Sequence, residues 1–152
     1  MGTVADRLAE LGLTLPEVAA PVAAYVPALV DGDHVYVSGQ LPFVAGELPA
    51  TGKVGAEVTT EQATALARVC ALNGLAAIAS VVDLDAVRQV VKVTGFVASA
   101  PGFTDQPAVI NGASELLAAV FGTTGQHARS AVGVAELPKG TPVEVELIVR
   151  VA

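Results

Sequence analysis

The pattern of apolar and polar positions predicts a mixture of strands and helices. The C-terminal segment is the clearest case, because the apolar residues at every second position from Val143 to Val151 recur without a break. A repeat of two places all of them on one side of an extended chain. We therefore predict a last strand with one wholly apolar face.

Four more segments have the character of strands. The runs AYVPALV and HVYVSGQLPF flank Asp31-Gly32-Asp33, which predicts a hairpin, and Pro27 places its first strand at an edge or a bulge. Residues 44–58 are rich in glycine and predict a loop. The run RQVVKVTGFVAS and residues 127–135 are rich enough in β-branched residues to predict two further strands.

Three segments have helical signals. Thr3 is a suitable cap for a short helix that Gly12 ends, with apolar residues at helical spacing (Val4, Leu8 and Leu11). A long helix opens near Thr60, and the small residues of its inward face are predicted to be Leu66, Val69, Cys70, Asn73, Ala76 and Ala77. Another begins at Pro107 and ends at Gly122, with Val109, Leu116, Leu117 and Val120 inward.

The predicted order after the N-terminal helix is hairpin, strand, helix, strand, helix, strand, strand. This order indicates an α+β fold with one mixed sheet and both long helices on one face. No third layer remains for the other face, so self-association would cover it. We predict one domain over residues 1–152, in which residues 1–18 form a helical extension.

Composition and charge narrow the class of protein. Apolar residues make up 53% of the chain and charged residues 15%, against a usual charged share of about 25%. With a net charge of −7, the chain lacks the excess of basic residues that binding to a nucleic acid requires. The N-terminus lacks the apolar core of a signal peptide, and Cys70 is the single cysteine. We expect a cytoplasmic protein without membrane segments.

Several catalytic motifs are missing. The chain has no glycine-rich phosphate loop and no G-x-S-x-G elbow. His34 and His127 are far apart in sequence, so neither a metal nor another cofactor is indicated. Cys70 falls within a helix on its inward face, which favours a buried, inert thiol over a nucleophile.

Arg129 is the most notable polar residue, because it shares one strand face with the small residues Ala131 and Gly133. The space beside it would admit a ligand, and a guanidinium can bind a carboxylate through two parallel hydrogen bonds. The alternatives are a solvent-exposed arginine and an ion pair with Glu144 or Glu146.

Two other groups are candidates for a site. Ser38-Gly39-Gln40 interrupts an apolar strand, which indicates either a bulge or a close approach of the backbone to a ligand. Glu144 lies opposite the valines of the last strand. It would be a surface residue if that face met solvent, and a partly buried base of raised pKa if it met another subunit.

These residues together resemble the signatures of the RidA/YjgF family of enamine/imine deaminases. The segment from His127 to Glu146, HARSAVGVAELPKGTPVEVE, is similar to the C-terminal signature, and VYVSGQLP is similar to the N-terminal one. Tyr25 and Asn111 also match family positions. Ala131 stands where archetypal members have cysteine, although its main chain is unaffected by that change.

The resemblance implies a chorismate-mutase-like fold of the bacillus type, assembled as a homotrimeric barrel with clefts between subunits. It implies hydrolysis of 2-imino acids, formed from enamines, to 2-oxo acids and ammonia, with no cofactor, metal, nucleic acid or membrane partner. Arg129 would anchor the carboxylate and Glu144 would orient or deprotonate water. The remaining substrate-binding positions would be Ser38, Gly39, Tyr25, Asn111 and Ala131.

Three alternatives stay open from the sequence. The same cleft could bind a small carboxylate as a sensor without turnover. Ribonuclease activity, which some family members are credited with, is disfavoured by the acidic balance and by the lack of a catalytic histidine pair. A purely structural oligomer would have no ligand at all.

Overall fold

The computed structural model describes residues 2–20 and 23–152, and its centre is a five-stranded sheet. Across this sheet the strand order is β1-β2-β5-β3-β4, in which β3 and β4 pair in parallel and the other neighbours pair antiparallel. The mixed sheet is therefore as predicted. In chain order the strands are β1 (Ala28–Asp31), β2 (His34–Gln40), β3 (Gln89–Ala98), β4 (Ala128–Val134) and β5 (Val143–Arg150).

The central strand β5 confirms the alternation in the sequence. Its residues Val143, Val145, Leu147 and Val149 are all buried, while Glu146, on the other face, is exposed. The strand is paired on both sides, with β2 and with β3. A strand in this position needs one continuous apolar face, and its sequence provides it.

Two long helices, α2 (Thr60–Ala79) and α3 (Gln106–Phe121), follow a short helix, α1 (Val4–Glu10). Thr3 caps the start of α1 and Thr59 caps the start of α2, and each forms a reciprocal capping box with the third helical residue. α2 packs on β2 and β5, and α3 packs on β3 and β4, so both lie on one face of the sheet. This arrangement confirms the predicted α+β layering.

Small residues bring the two long helices close together. A Cβ atom at Gly112 would lie 2.0 Å from the main-chain oxygen of Thr64 in α2. A Cβ atom at Gly95 of β3 would lie 2.3 Å from Cδ1 of Ile110 in α3. Glycine at both positions is required for this approach, which sets the height of α3 above the sheet.

The opposite face of the sheet, which we call the open face, has no covering layer in residues 2–20 and 23–152. Leu29, Tyr36 and Val132 are exposed there, and Phe96 and Ile148 are half-buried. Apolar residues on a solvent-facing sheet are the expected mark of an interface. The structure thus agrees with the prediction of one uncovered face.

Some details of the sequence prediction are wrong. No strand lies between the hairpin and α2, where residues 41–59 form a loop with isolated bridges only. β1 starts at Ala28, so Tyr25 and Pro27 precede it, although β1 is the edge strand that the proline indicated. Val69 is half-buried rather than inward, and Leu11 is the exposed C-cap of α1.

The N-terminal helix is tied to the rest of the fold. Val4 and Leu8 belong to the main apolar core, and the Val4 N–H donates to Asp85 Oδ1 at 2.8 Å.

By length and hydropathy alone, α2 is long and apolar enough to cross a membrane. However, 61% of its most apolar stretch is buried inside the fold. The apolar composition of α2 is therefore that of a core helix.

Candidate functional site

Arg129 lies on the edge strand β4 with its side chain directed towards α3. It pairs with Val93 of β3, and is therefore on the helix-covered face of the sheet. Its Nη1 donates to Asn111 Oδ1 at 2.8 Å and to Ser114 Oγ at 3.3 Å, and its Nη2 donates to the Pro107 carbonyl at 3.3 Å. The guanidinium is thus held by three neutral oxygens of one helix.

No carboxylate forms an ion pair with Arg129 in the described part of the chain. The ion pair with Glu144 or Glu146 that the sequence left open is absent there. A guanidinium has five N–H groups, and the three hydrogen bonds use at most three of them. At least two N–H groups therefore remain to donate to an anionic ligand.

The sequence missed two residues that act on Arg129. Ser114 follows Asn111 by three positions, so both lie on the same side of α3. His127 immediately precedes β4, and one of its ring nitrogens, Nε2, lies 2.8 Å from Ser114 Oγ. The i, i+3 spacing in the helix and the i, i+2 spacing of His127 and Arg129 are signals that could have revealed this cluster.

Ala131 follows Arg129 on the same face of β4. It pairs with Gly95 of β3 and packs, half-buried, against the core. The next residue on that face is Gly133, so only small side chains follow the guanidinium along the strand. A Cβ atom at Gly133 would lie 2.7 Å from Gln106 Nε2, so the side chain of Gln106 occupies the space beside this glycine.

A second group of predicted residues lies where β2 is irregular. The Ser38 hydroxyl donates to the Val26 carbonyl at 2.6 Å, and the Ser38 N–H donates to Pro27 at 2.9 Å. These bonds fix the segment that carries Tyr25. Tyr25 and Ser38 line a groove of about 380 Å³ on the open face, together with Leu29, Tyr36, Lys92, Thr94, Glu146 and Ile148.

Glu144 belongs to this second group through Gly39. A Cβ atom at Gly39 would lie 2.3 Å from Glu144 Oε1, so the carboxylate occupies the space that the glycine leaves. Glu144 is half-buried, and burial raises its pKa, with a smaller contribution from the charge of Glu146. A raised pKa makes the carboxylate a better proton acceptor, which suits a group that activates water.

The structure does not bring all the predicted site residues together in one chain. Glu144 pairs with Phe96 of β3 on the open face, whereas Arg129 is on the opposite face beside α3. One group therefore comprises Arg129, Asn111 and Ala131. The other comprises Tyr25, Ser38, Gly39 and Glu144.

Cys70 has no place in either group. Its side chain is fully buried in α2, and that burial raises the pKa of the thiol well above its usual range. The nearby Glu144 charge adds to this shift. A thiol that resists ionisation is a poor nucleophile, in agreement with the inert role that the sequence indicated.

The layered sheet and the arginine beside its edge define an α+β domain with a candidate anion-binding site. The family comparison then identifies the chain: residues 5–149 match the YjgF/chorismate mutase-like endoribonuclease family, and the protein belongs to this RidA/YjgF family. This confirms the resemblance that the two signatures indicated.

Three proteins illustrate the relationship. Protein TCP17 of Trypanosoma cruzi is 48% identical over an alignment of 153 positions that covers 98% of this chain and 94% of that protein. The crystal structure of Atu1372, a protein of unknown function from Agrobacterium tumefaciens, has a TM-score of 0.91 at 48% identity, covering 98% of this chain and 92% of that one. A protein of Dermatophagoides farinae named 2-iminobutanoate/2-iminopropanoate deaminase is 33% identical to this chain. The alignment covers 90% of this chain and 93% of that protein.

Proposed function

We propose that the protein hydrolyses reactive 2-imino acids to 2-oxo acids and ammonia. The observation that carries this proposal is the Arg129 guanidinium, which is held by neutral oxygens and keeps N–H groups free for an anion. A 2-imino acid presents a carboxylate next to an electrophilic carbon. A protein that holds the carboxylate therefore also positions the electrophilic carbon.

The reaction needs few protein groups. Water adds to the C=N carbon, the nitrogen takes up protons, and the resulting carbinolamine loses ammonia to leave the 2-oxo acid. Glu144, with its raised pKa, would accept a proton from the attacking water and return it to the departing nitrogen. The free amide N–H₂ of Asn111, the Ser38 hydroxyl and the main chain near Ala131 would complete the contacts, with Tyr25 as a wall.

We further propose that the site is formed between subunits of a homotrimer. Arg129 and Glu144 face opposite sides of their own sheet, so one chain alone cannot present both to one small substrate. Packing of the apolar open faces would bury Leu29, Tyr36 and Val132 and bring the second group of one subunit against the first group of its neighbour. Such a cleft would have one Arg129 and one Glu144 from different chains.

The test is a turnover assay with freshly generated 2-iminopropanoate, in which ammonia and pyruvate are measured and semicarbazide traps uncatalysed imine. Arg129→Ala should reduce kcat/KM by about 100-fold or more, since a bidentate charge-assisted contact is lost. Arg129→Lys should retain only part of the wild-type kcat/KM, because lysine lacks the planar guanidinium that binds a carboxylate through two hydrogen bonds. The exposed Arg88→Ala is the matched control and should retain activity.

Calorimetric titration with pyruvate separates the alternatives. Binding that requires Arg129, without imine hydrolysis by the wild-type protein, would show a carboxylate sensor instead of an enzyme. Turnover and binding that are both unaffected by Arg129→Ala would remove the basis of the proposal.

A further inference from the structure

A chain of hydrogen bonds runs behind Arg129 and ends on main chain. The Gly125 carbonyl lies 2.6 Å from Nδ1 of His127, and Nε2 of the same ring lies 2.8 Å from Ser114 Oγ. Ser114 Oγ in turn accepts from Nη1 of Arg129 at 3.3 Å. The chain thus links the segment before β4 to α3 and to the guanidinium.

When the imidazole of His127 is neutral, the chemistry of each group fixes the direction of every bond. A carbonyl oxygen can only accept, so Nδ1 of His127 must carry the hydrogen. A neutral imidazole carries only one, so Nε2 must accept, and the Ser114 hydroxyl must donate to it. The lone pairs of Ser114 Oγ then face Arg129, whose N–H groups can only donate. All donors and acceptors match in this arrangement.

The other tautomer of His127, with the hydrogen on Nε2, would disrupt the contact between Ser114 and Arg129. If Nε2 carried the hydrogen, Nδ1 would be an acceptor facing the Gly125 carbonyl, and two acceptors 2.6 Å apart repel. The Ser114 hydroxyl proton would also lose its acceptor and could rotate towards the guanidinium, where donor would meet donor. The tautomer of His127 therefore controls how Ser114 presents itself to Arg129.

We propose that Ser114 and His127 are positioning residues that aim the guanidinium of Arg129 at the carboxylate of the substrate. His127 fixes the Ser114 hydroxyl, and Ser114 with Asn111 occupies Nη1, which leaves N–H groups elsewhere on the fork for the ligand. Because all these acceptors are neutral, they orient Arg129 without neutralising its charge. The inference rests on the proposed function, since it requires Arg129 to bind a carboxylate.

The first test is nuclear magnetic resonance of the full-length protein with ¹⁵N-labelled histidine, near pH 8. We expect His127 to be the Nδ1–H tautomer, which correlations between the ring nitrogens and carbon-bound protons identify directly. The variant His34→Ala assigns the two histidines. An Nε2–H tautomer at His127 would overturn the inference, whatever the activity of the protein.

The second test measures pyruvate affinity and the kinetics of 2-iminopropanoate hydrolysis in Ser114→Ala and His127→Ala. We expect the Kd for pyruvate and the KM to rise about tenfold while kcat changes less than about twofold. The reason is that the Arg129 guanidinium is no longer oriented, whereas the water-activating group is intact. Ser114→Thr, which keeps the hydroxyl, should recover much of the affinity. His34→Ala is the matched histidine control.

The outcomes separate this inference from the function on which it rests. Loss of pyruvate binding in Arg129→Ala together with normal binding in Ser114→Ala would refute the positioning role and leave the proposed function intact. Unchanged binding in Arg129→Ala would refute both. An equal fall in kcat and kcat/KM for Ser114→Ala would assign it to the chemical step, which also contradicts a positioning role.

Discussion

Arg129 and Glu144 lie on opposite faces of one sheet. Arg129 is in register with Val93 and is bonded to α3, whereas Glu144 is in register with Phe96 on the open face. A substrate of a few atoms cannot reach through a sheet. If both residues act on one substrate, they must come from two chains.

This relationship predicts complementation between two defective variants. Arg129→Ala and Glu144→Gln should each be nearly inactive alone. When they are unfolded together in equal amounts and refolded as mixed trimers, about one quarter of the sites should combine an intact arginine and an intact glutamate from different chains. The measurement is the rate of imine hydrolysis per protomer after refolding, compared with each variant refolded alone.

Subunit exchange must be shown for this result to count. A differently tagged mixture, separated by affinity, establishes that mixed trimers form. If activity stays at the level of the single variants in proven mixed trimers, then both residues act within one chain or one of them does not act at all.

Glu144 should make stability depend on pH in a defined direction. Burial raises the pKa of this carboxyl in the folded state, so its contribution to stability is complete below the unfolded value near 4.5 and is lost as the pH rises through the folded pKa. Glu144→Gln carries no charge at any pH. Its free energy of unfolding relative to wild type should therefore increase as the pH rises from about 4 to neutrality.

Denaturant unfolding at several pH values and one protomer concentration measures this difference. The exposed Glu115→Gln on α3 is the control for removing one surface charge. A stability difference that is flat with pH, or that falls as the pH rises, would mean that Glu144 is not a destabilised carboxylate.

Gly39 should control the position of the Glu144 carboxylate. In Gly39→Ala the new Cβ would lie 2.3 Å from Glu144 Oε1 and 2.9 Å from Cδ. Because these atoms are at the end of a flexible side chain, Glu144 can swing away at little cost to the fold. We expect kcat to fall about 10- to 100-fold with pyruvate affinity retained, since the water-activating group is displaced by about an ångström.

The double variant Gly39→Ala/Glu144→Gln is the control for this mechanism. If the alanine acts only through Glu144, the double variant should be no slower than Glu144→Gln. Additive losses would show that Gly39 has another role, such as direct contact of its main chain with the substrate.

The sequence was most informative where a residue's environment depends on its own element. The alternation in β5 and the Thr3 cap of α1 need only local geometry, and the structure confirms them. The sequence also indicated that α2 opens at Thr60, and its cap is the preceding Thr59. The pairing of β4 beside β3 in parallel is a long-range event. Alternation placed Arg129 with Ala131, but it could not show which face of the finished sheet that would be.

The contacts of Arg129 have the same origin. Ser114 and His127 meet only because α3 lies over β4, at a height that Gly95 and Gly112 permit. His127 and Ser114 lie on different elements, so the spacings within each element show which residues share a face but not that these two side chains meet. The extra strand in the predicted order, between the hairpin and α2, is absent, and residues 41–59 form the loop that their glycines indicated, with isolated bridges only.

Assembly through the open face can be tested with two matched valines. Val132 on β4 and Val81 after α2 are both 42% exposed, but only Val132 is on the open face. Val132→Asp would place a carboxylate in the proposed interface, where burying an unpaired charge is costly. We expect this variant to be monomeric and inactive while keeping its secondary structure, and Val81→Asp to remain an active trimer. Light scattering and the imine assay measure both properties, and a Val132→Asp protein that is still trimeric and active would exclude the open face as the interface.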